Sequence, residues 1–221
     1  FVDAQIGRLL DALEKNGLME KTIIVFWSDH GYFLGEKGLW YKRKAFERSA
    51  RMPLLISVPG GPRNRSCQKP VELVDLYPTL ADLCGLKPPA RLEGQSLGPL
   101  LDDPASDSWT KPAVTQVWHS PKAWGYSIRT ERYRYTEWLE GKAGRELYDH
   151  AVDPDEINNL SESNKHRSIV ERLSAALQPL LQTFSAFRPL QLTLLTQLAG
   201  ASRLLEWLLQ KARSNDEFNR L

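Results

Sequence analysis

The sequence predicts an α/β fold followed by a small antiparallel sheet, and three observations carry that prediction. Ile23-Ile24-Val25-Phe26-Trp27 is a continuous apolar run of β-branched and aromatic side chains, the composition of a strand covered on both faces of a parallel sheet. Residues 54–58 form a second such run, with Pro53 at its start, where a missing backbone donor is tolerated. Beyond Pro104 the pattern changes to short runs at 114–118, 126–129, 133–138 and 146–148, separated by turn residues. That spacing reads as antiparallel strands.

The elements follow in order. Ile6, Leu9, Leu10 and Leu13 recur at helical spacing, and Asn16-Gly17 gives a left-handed stop, so a helix is expected over 1–16. It leads through a short loop into a strand at 22–28, half of a β-α-β unit. The strand at 54–58 ends in Pro59-Gly60-Gly61-Pro62, a turn. Asp75 reads as the N-cap of a helix running to Cys84, with Pro78 in its first turn and Gly85 ending it. A helix from about residue 165 to 181 is expected to pack on the antiparallel sheet. The resulting division is 1–86 α/β, 87–111 linker, 112–181 antiparallel subdomain, and 182–221 a helical extension to which the sequence assigns no role.

Composition bounds the function. With 42% hydrophobic and 25% charged residues the chain is ordinary for a globular protein. A net charge of +2 gives no argument for nucleic acid or a membrane surface. No apolar run approaches a membrane span. The chain opens on Phe1 within an amphipathic helix, which suggests a fragment or a processed chain. Cys67 and Cys84 fit no metal spacing; free thiols or one disulfide are both open.

The chemistry is expected where the first strand ends, at Ser28-Asp29-His30-Gly31. Open α/β sheets bind ligands beyond the carboxyl ends of their strands. Asp29 offers a hard oxygen for a divalent cation, and His30 offers an imidazole nitrogen for a metal or an anionic substrate. A turn-forming Asp with a capping His is the structural alternative. There follows a connection of roughly twenty residues without periodicity, the kind that is functional when it is ordered. Its aromatics Tyr32, Phe33, Trp40 and Tyr41 argue for order. Lys37, Lys42, Arg43 and Lys44 lie in it, a solvated basic face or an anion site.

These residues carry a resemblance. Thr22-Ile23-Ile24-Val25-Phe26-Trp27-Ser28-Asp29-His30-Gly31, then Leu34-Gly35-Glu36-x-Gly38-x-Trp40-x-Lys42, then Arg51-Met52-Pro53-Leu54-Leu55-Ile56 through Pro59-Gly60, resembles the C-terminal half of the sulfatase family. That family belongs to the alkaline phosphatase superfamily. His directly after Asp, and Gly125-Tyr126-Ser127-Ile128-Arg129-Thr130, look most like iduronate-2-sulfatases. Asp153-Pro154-x-Glu156-x-x-Asn159-Leu160 resembles the closing segment of many bacterial sulfatases.

The resemblance implies the C-terminal part of an alkaline-phosphatase-like α/β sandwich. It implies a sulfuric ester hydrolase acting on a sulfated saccharide, with iduronate-2-sulfate the finer expectation. Asp29 and His30 would be ligands of one calcium ion, and Lys42 would be the catalytic, sulfate-binding lysine. His119, at a strand end, could edge the substrate pocket. Members are periplasmic, secreted or lysosomal.

The family nucleophile is a formylglycine made from Cys-x-Pro-Ser-Arg or Cys-x-Ala-Ser-Arg. Cys67 is followed by Gln68-Lys69-Pro70 and Cys84 by Gly85-Leu86-Lys87, so neither supplies it. The expectation is therefore one side of an active site, inactive alone. Another superfamily hydrolase, of phosphodiesters or phosphonates, and a non-catalytic binding module are the alternatives. Trp40, Trp118, Trp124 and Trp138 could stack on sugars but suit packing better. Arg129, Arg132 and Arg134 are expected to face solvent or pair with Glu131 and Glu137 across strands.

Overall fold

The computed structural model describes residues 1–120 and 123–179. Phe1–Ser174 forms one compact unit and Ala175–Leu221 a second. The extension expected at 182–221 lies outside the described residues. No helix among the described residues is long and apolar enough to cross a membrane.

Helix α1 spans Val2–Lys15 and ends at Asn16, with Gly17 in the left-handed region at φ 63°. The first apolar run forms β1, Ile24–Trp27, and the second forms β4, Leu54–Ser57. Their pairing is antiparallel, Ile24 opposite Ser57 and Trp27 opposite Leu54. This corrects the expected parallel ladder: β4 is the one partner of β1 among the described residues. Burial on both faces is not seen either. Leu54 and Ile56 pack against Leu97, Leu100 and Trp109, while Leu55, Phe26 and Trp27 are exposed. In β4 the period of two gives one covered face and one open face.

Residues 87–111, expected to carry little secondary structure, include helix α4, Gly98–Asp102. Leu97, Leu100 and Trp109 are its apolar contribution to the cover of β4, and the Trp109 Nε1–H donates to the Pro70 carbonyl at 3.0 Å. Helix α3 is Leu76–Leu83. Asp75 precedes it but does not cap it. Its fully buried carboxylate instead accepts from Glu72 N, Gln95 N and Lys111 Nζ, at 2.9, 2.9 and 2.6 Å. The residue is structural as expected, by tying three segments together rather than by ending a helix.

The second half forms a meander, β5 (Ala113–Ser120), β6 (Ala123–Arg129), β7 (Tyr133–Trp138) and β8 (Arg145–Asp149), in spatial order β5-β6-β7-β8. The centre of β6 and β7 is buried at Tyr126, Ser127, Ile128, Arg134, Tyr135, Thr136 and Glu137. Gly125 lets β6 pass the Trp138 ring, which a Cβ there would approach to 2.6 Å. A helix α5 opens at residue 167, buries Val170 and Leu173, and reaches β7 where Ser174 Oγ donates to Glu137 Oε1 at 2.6 Å. Cys67 and Cys84 are free and exposed.

Candidate active-site face

The β1 strand stops at Trp27, and the next three residues turn so that their polar groups meet. Ser28 Oγ donates to the His30 carbonyl at 3.0 Å. His30 Nδ1–H donates to the Gly31 carbonyl at 2.7 Å, which turns Nε2 toward the corner. Asp29 Oδ2 lies 3.1 Å from that Nε2, and Lys42 Nζ lies 2.6 Å from it. Asp29, His30 and Lys42, singled out from sequence, thus converge on one corner. His30 is part-buried and the Asp29 side chain is 79% exposed.

Lys42 reaches this corner through an irregular loop. Strands β2 (Phe33–Leu34) and β3 (Trp40–Tyr41) pair as a minimal hairpin. Its Phe33 is fully buried and packs edge-on to Phe46 at 6.3 Å. Glu36 Oε2 accepts the Leu34 amide at 2.7 Å, and that bond holds its carboxyl below the usual range. Tyr41 and Arg43, on either side of Lys42, sit at φ 147° and 70°. Left-handed non-glycine backbone of this kind costs about 1–3 kcal/mol per residue and collects at functional sites.

The loop closes on α2, Glu47–Ala50. The Gly31 amide donates to the Ser49 carbonyl at 2.9 Å. A Cβ on Gly31 would lie 2.1 Å from the Arg48 carbonyl oxygen and 2.7 Å from that of Arg51. Only glycine lets the chain after His30 approach α2 this closely.

Behind α2 lies a charge cluster that sequence reasoning missed. Glu47 Oε2 accepts from Arg129 Nε at 3.2 Å and from Arg134 Nη2. Glu156 Oε1 accepts from Arg134 Nε at 2.7 Å and His150 Nε2 at 3.0 Å. Arg129 Nη2 donates to His150 Nδ1 at 3.0 Å. Burial raises the Glu47 carboxyl, but Arg134 and Arg129 outweigh it and hold the group below its ordinary value. Burial likewise lowers Arg129, against the pull of Glu47.

The expected cross-strand pairing is therefore corrected. Arg134 is buried against Glu47 and Glu156, Arg132 pairs with Asp149 at 2.6 Å, and Glu131 pairs with Lys69 at 2.8 Å. The one signal available was an arginine centred in the apolar strand Tyr133-Arg134-Tyr135, because a buried guanidinium demands carboxylates.

Two places among the described residues have metal-ligand chemistry. Glu47, His150 and Glu156 present ligand atoms within 4.8 Å of one another. Two guanidiniums already neutralise those carboxylates, and both imidazole nitrogens are engaged. This is an ion-pair network complete without a cation. At the Asp29–His30 corner the donors fit one: a carboxylate oxygen and an imidazole lone pair 3.1 Å apart, open to solvent. The ammonium of Lys42 supplies positive charge beside the same nitrogen.

His119 lies in β5, and its side chain is outside the described residues. Trp40 is exposed beside the loop, whereas Trp124 is buried. Gly125, Tyr126, Ser127 and Ile128 lie in the centre of β6, and Arg129 at its end joins the charge cluster. This segment acts on packing and does not line the Asp29–His30–Lys42 corner.

The family described as N-sulphoglucosamine sulphohydrolase, C-terminal, matches residues 35–183. A sulfatase of Formosa agariphila is 36% identical over 84% of this chain and 35% of its own length. The N-acetylglucosamine-6-O-sulfatase of Bacteroides thetaiotaomicron is 37% identical over 72% of this chain and 30% of its own. The chain thus spans about a third of the curated relatives it matches. Among solved structures, BT4656 in complex with D-glucosamine-2-N,6-O-disulfate superposes with a TM-score of 0.72 and 32% identity, over 84% of this chain and 39% of that one. BT1596, a 2-O GAG sulfatase, superposes with a TM-score of 0.75 and 29% identity, over 84% and 42%. The phosphonate monoester hydrolase of Agrobacterium radiobacter reaches 0.72 and 28%, over 82% and 39%. The α/β architecture with its antiparallel sheet is therefore that of the alkaline-phosphatase-like enzymes, and the chain belongs to the sulfatase family, matching its C-terminal half.

Proposed function

We propose that this chain supplies one face of the active site of a sulfuric ester hydrolase acting on a sulfated sugar. The observation that carries the proposal is the convergence of Asp29, His30 and Lys42, within 3.1 Å of the His30 Nε2 atom, at the end of β1. The sugar class is supported by relatives that act on N-acetylglucosamine-6-O-sulfate and 2-O-sulfated glycosaminoglycan. Iduronate-2-sulfate is the finer candidate.

Asp29 and His30 would hold one divalent cation, calcium by resemblance, whose charge would polarise the sulfate oxygens when bound. His30 is prepared for this because its Nδ1–H is spent on Gly31. Lys42 places a fixed ammonium where negative charge grows on the sulfate and bridging oxygens. The two left-handed residues beside it hold its backbone in a conformation a solvated lysine has no need of. His119 would edge the sugar pocket. The nucleophile, a formylglycine in the family, would come from outside this chain, since neither cysteine lies in its motif.

The test joins this chain to a sulfatase N-terminal half carrying the nucleophile motif and measures sulfate release from sulfated monosaccharides. Turnover that Asp29→Ala abolishes supports the proposal; turnover indifferent to Asp29→Ala overturns the site. The phosphonate monoester hydrolase likeness, with an equal TM-score of 0.72, favours one second reading. Faster turnover of an aryl phosphonate ester than of an aryl sulfate would select it.

A further inference from the structure

Glu156 lies more than a hundred residues from the Asp29–His30–Lys42 corner in sequence, yet hydrogen bonds and the backbone of α2 join them. We infer that Glu156 is a positioning residue for His30, acting through α2. The inference rests on the functional reading of that corner, because positioning matters only if His30 is a ligand.

Glu156 Oε2 accepts the backbone N–H of Glu47 at 2.8 Å, the first residue of α2. Its Oε1 holds Arg134, whose other arm and Arg129 hold the Glu47 carboxylate. The start of α2 is therefore gripped by backbone and side chain at once. At the other side of this single turn the Ser49 carbonyl takes the Gly31 amide at 2.9 Å. The Gly31 carbonyl in turn takes the His30 Nδ1–H. Every link is a direct contact, and the tight approach of Gly31 to the Arg48 and Arg51 carbonyls leaves no slack between α2 and the site turn. A shift of α2 must move the Gly31 peptide, and with it the acceptor that selects the His30 tautomer.

The presentation of Glu156 is itself built. It sits at φ 58°, a left-handed conformation unfavourable for a glutamate. Asp153 stabilises the turn by accepting the Ile157 and Asn158 amides at 3.0 and 2.8 Å. Lys37 of the site loop donates to the Glu156 carbonyl, so the same residue holds the loop from a second point. Its carboxylate is almost fully buried, 2% exposed. A buried charge on a strained backbone, aimed at the start of α2, is a costly arrangement for packing alone.

The experiment reads His30 geometry and not turnover, so its failure is separate from failure of the sulfatase reading. Long-range 1H–15N correlation spectra of the 221-residue chain at pH 8 report which ring nitrogen of each histidine carries the proton; there are four histidines, and His30→Gln assigns the signal. In the wild type His30 carries its proton on Nδ1. In Glu156→Gln the ratio of Nδ1–H to Nε2–H falls roughly three- to tenfold, the worth of one weakened hydrogen bond. Arg132→Gln, which breaks the Asp149 pair in the same sheet, leaves it unchanged. Should Glu156→Gln fail to fold, Glu156→Asp keeps the charge but shortens the reach, and the same fall is expected. An unchanged His30 signal in the folded variant, or an Nε2–H tautomer in the wild type, overturns the inference.

Discussion

Lys42 Nζ stands 2.6 Å from His30 Nε2, across a loop that returns to the end of β1 after twelve residues. The Gly31 carbonyl takes the Nδ1–H from the other side of the ring, so Nε2 is the nitrogen presented to Lys42. The pair therefore sets a ligand-ready histidine beside a positive charge. Lys42→Ala in the joined enzyme is expected to lower kcat by about a hundred- to thousandfold, the usual cost of one electrostatic donor to a developing charge. Lys42→Arg should not restore it, because the planar guanidinium cannot reproduce a point charge at this reach. Steady-state rates on a sulfated monosaccharide check both.

Gly31→Ala should disable the site without touching a polar group. Its Cβ would fall 2.1 Å from the Arg48 carbonyl oxygen, so the turn must leave α2 or α2 must move. A lowered melting temperature together with lost activity is expected. Calorimetry beside the activity assay measures it.

The charge cluster predicts an acid dependence. Glu47 is held below its ordinary carboxyl value, with burial opposing and Arg134 and Arg129 prevailing. A carboxyl depressed in the folded state contributes stability that is full above its unfolded value, about pH 4.3. That contribution is lost as pH falls below that value and through the lower folded one. Glu47→Gln should flatten stability against pH in this window, in urea titrations at pH 3 to 6. Glu156→Ala should cost about 3–5 kcal/mol at neutral pH, since it leaves buried Arg134 with one of its two carboxylates.

Much of this arrangement was legible because its signals are local. The apolar run ending in Asp29-His30-Gly31 located β1 and the site turn, and turn residues marked off the four strands of the meander. The charge cluster was not legible, because Glu47 and Glu156 meet across 109 positions and neither carries a periodic pattern. Asp75 shows the same limit. Its place before Leu76 suggested a cap, yet its partners Gln95 and Lys111 are 20 and 36 residues away. A short apolar run, likewise, does not say whether its neighbour is parallel, and β1 pairs antiparallel with β4.

Asp75→Ala separates structure from site. Removing a buried carboxylate with three donors leaves two amides unpaired and Lys111 with Glu72 alone, and a loss of several kcal/mol is expected. His30 lies on another part of the unit, so its tautomer should stay as in the wild type.

The central claim is that Asp29, His30 and Lys42 form one face of a sulfuric ester hydrolase site. Its most direct test is sulfate release from a 2-O-sulfated uronic acid and a 6-O-sulfated glucosamine by the joined enzyme, with and without Asp29→Ala. The account predicts metal-dependent release from at least one sugar and none from the variant. Release that survives both chelation and Asp29→Ala would contradict it.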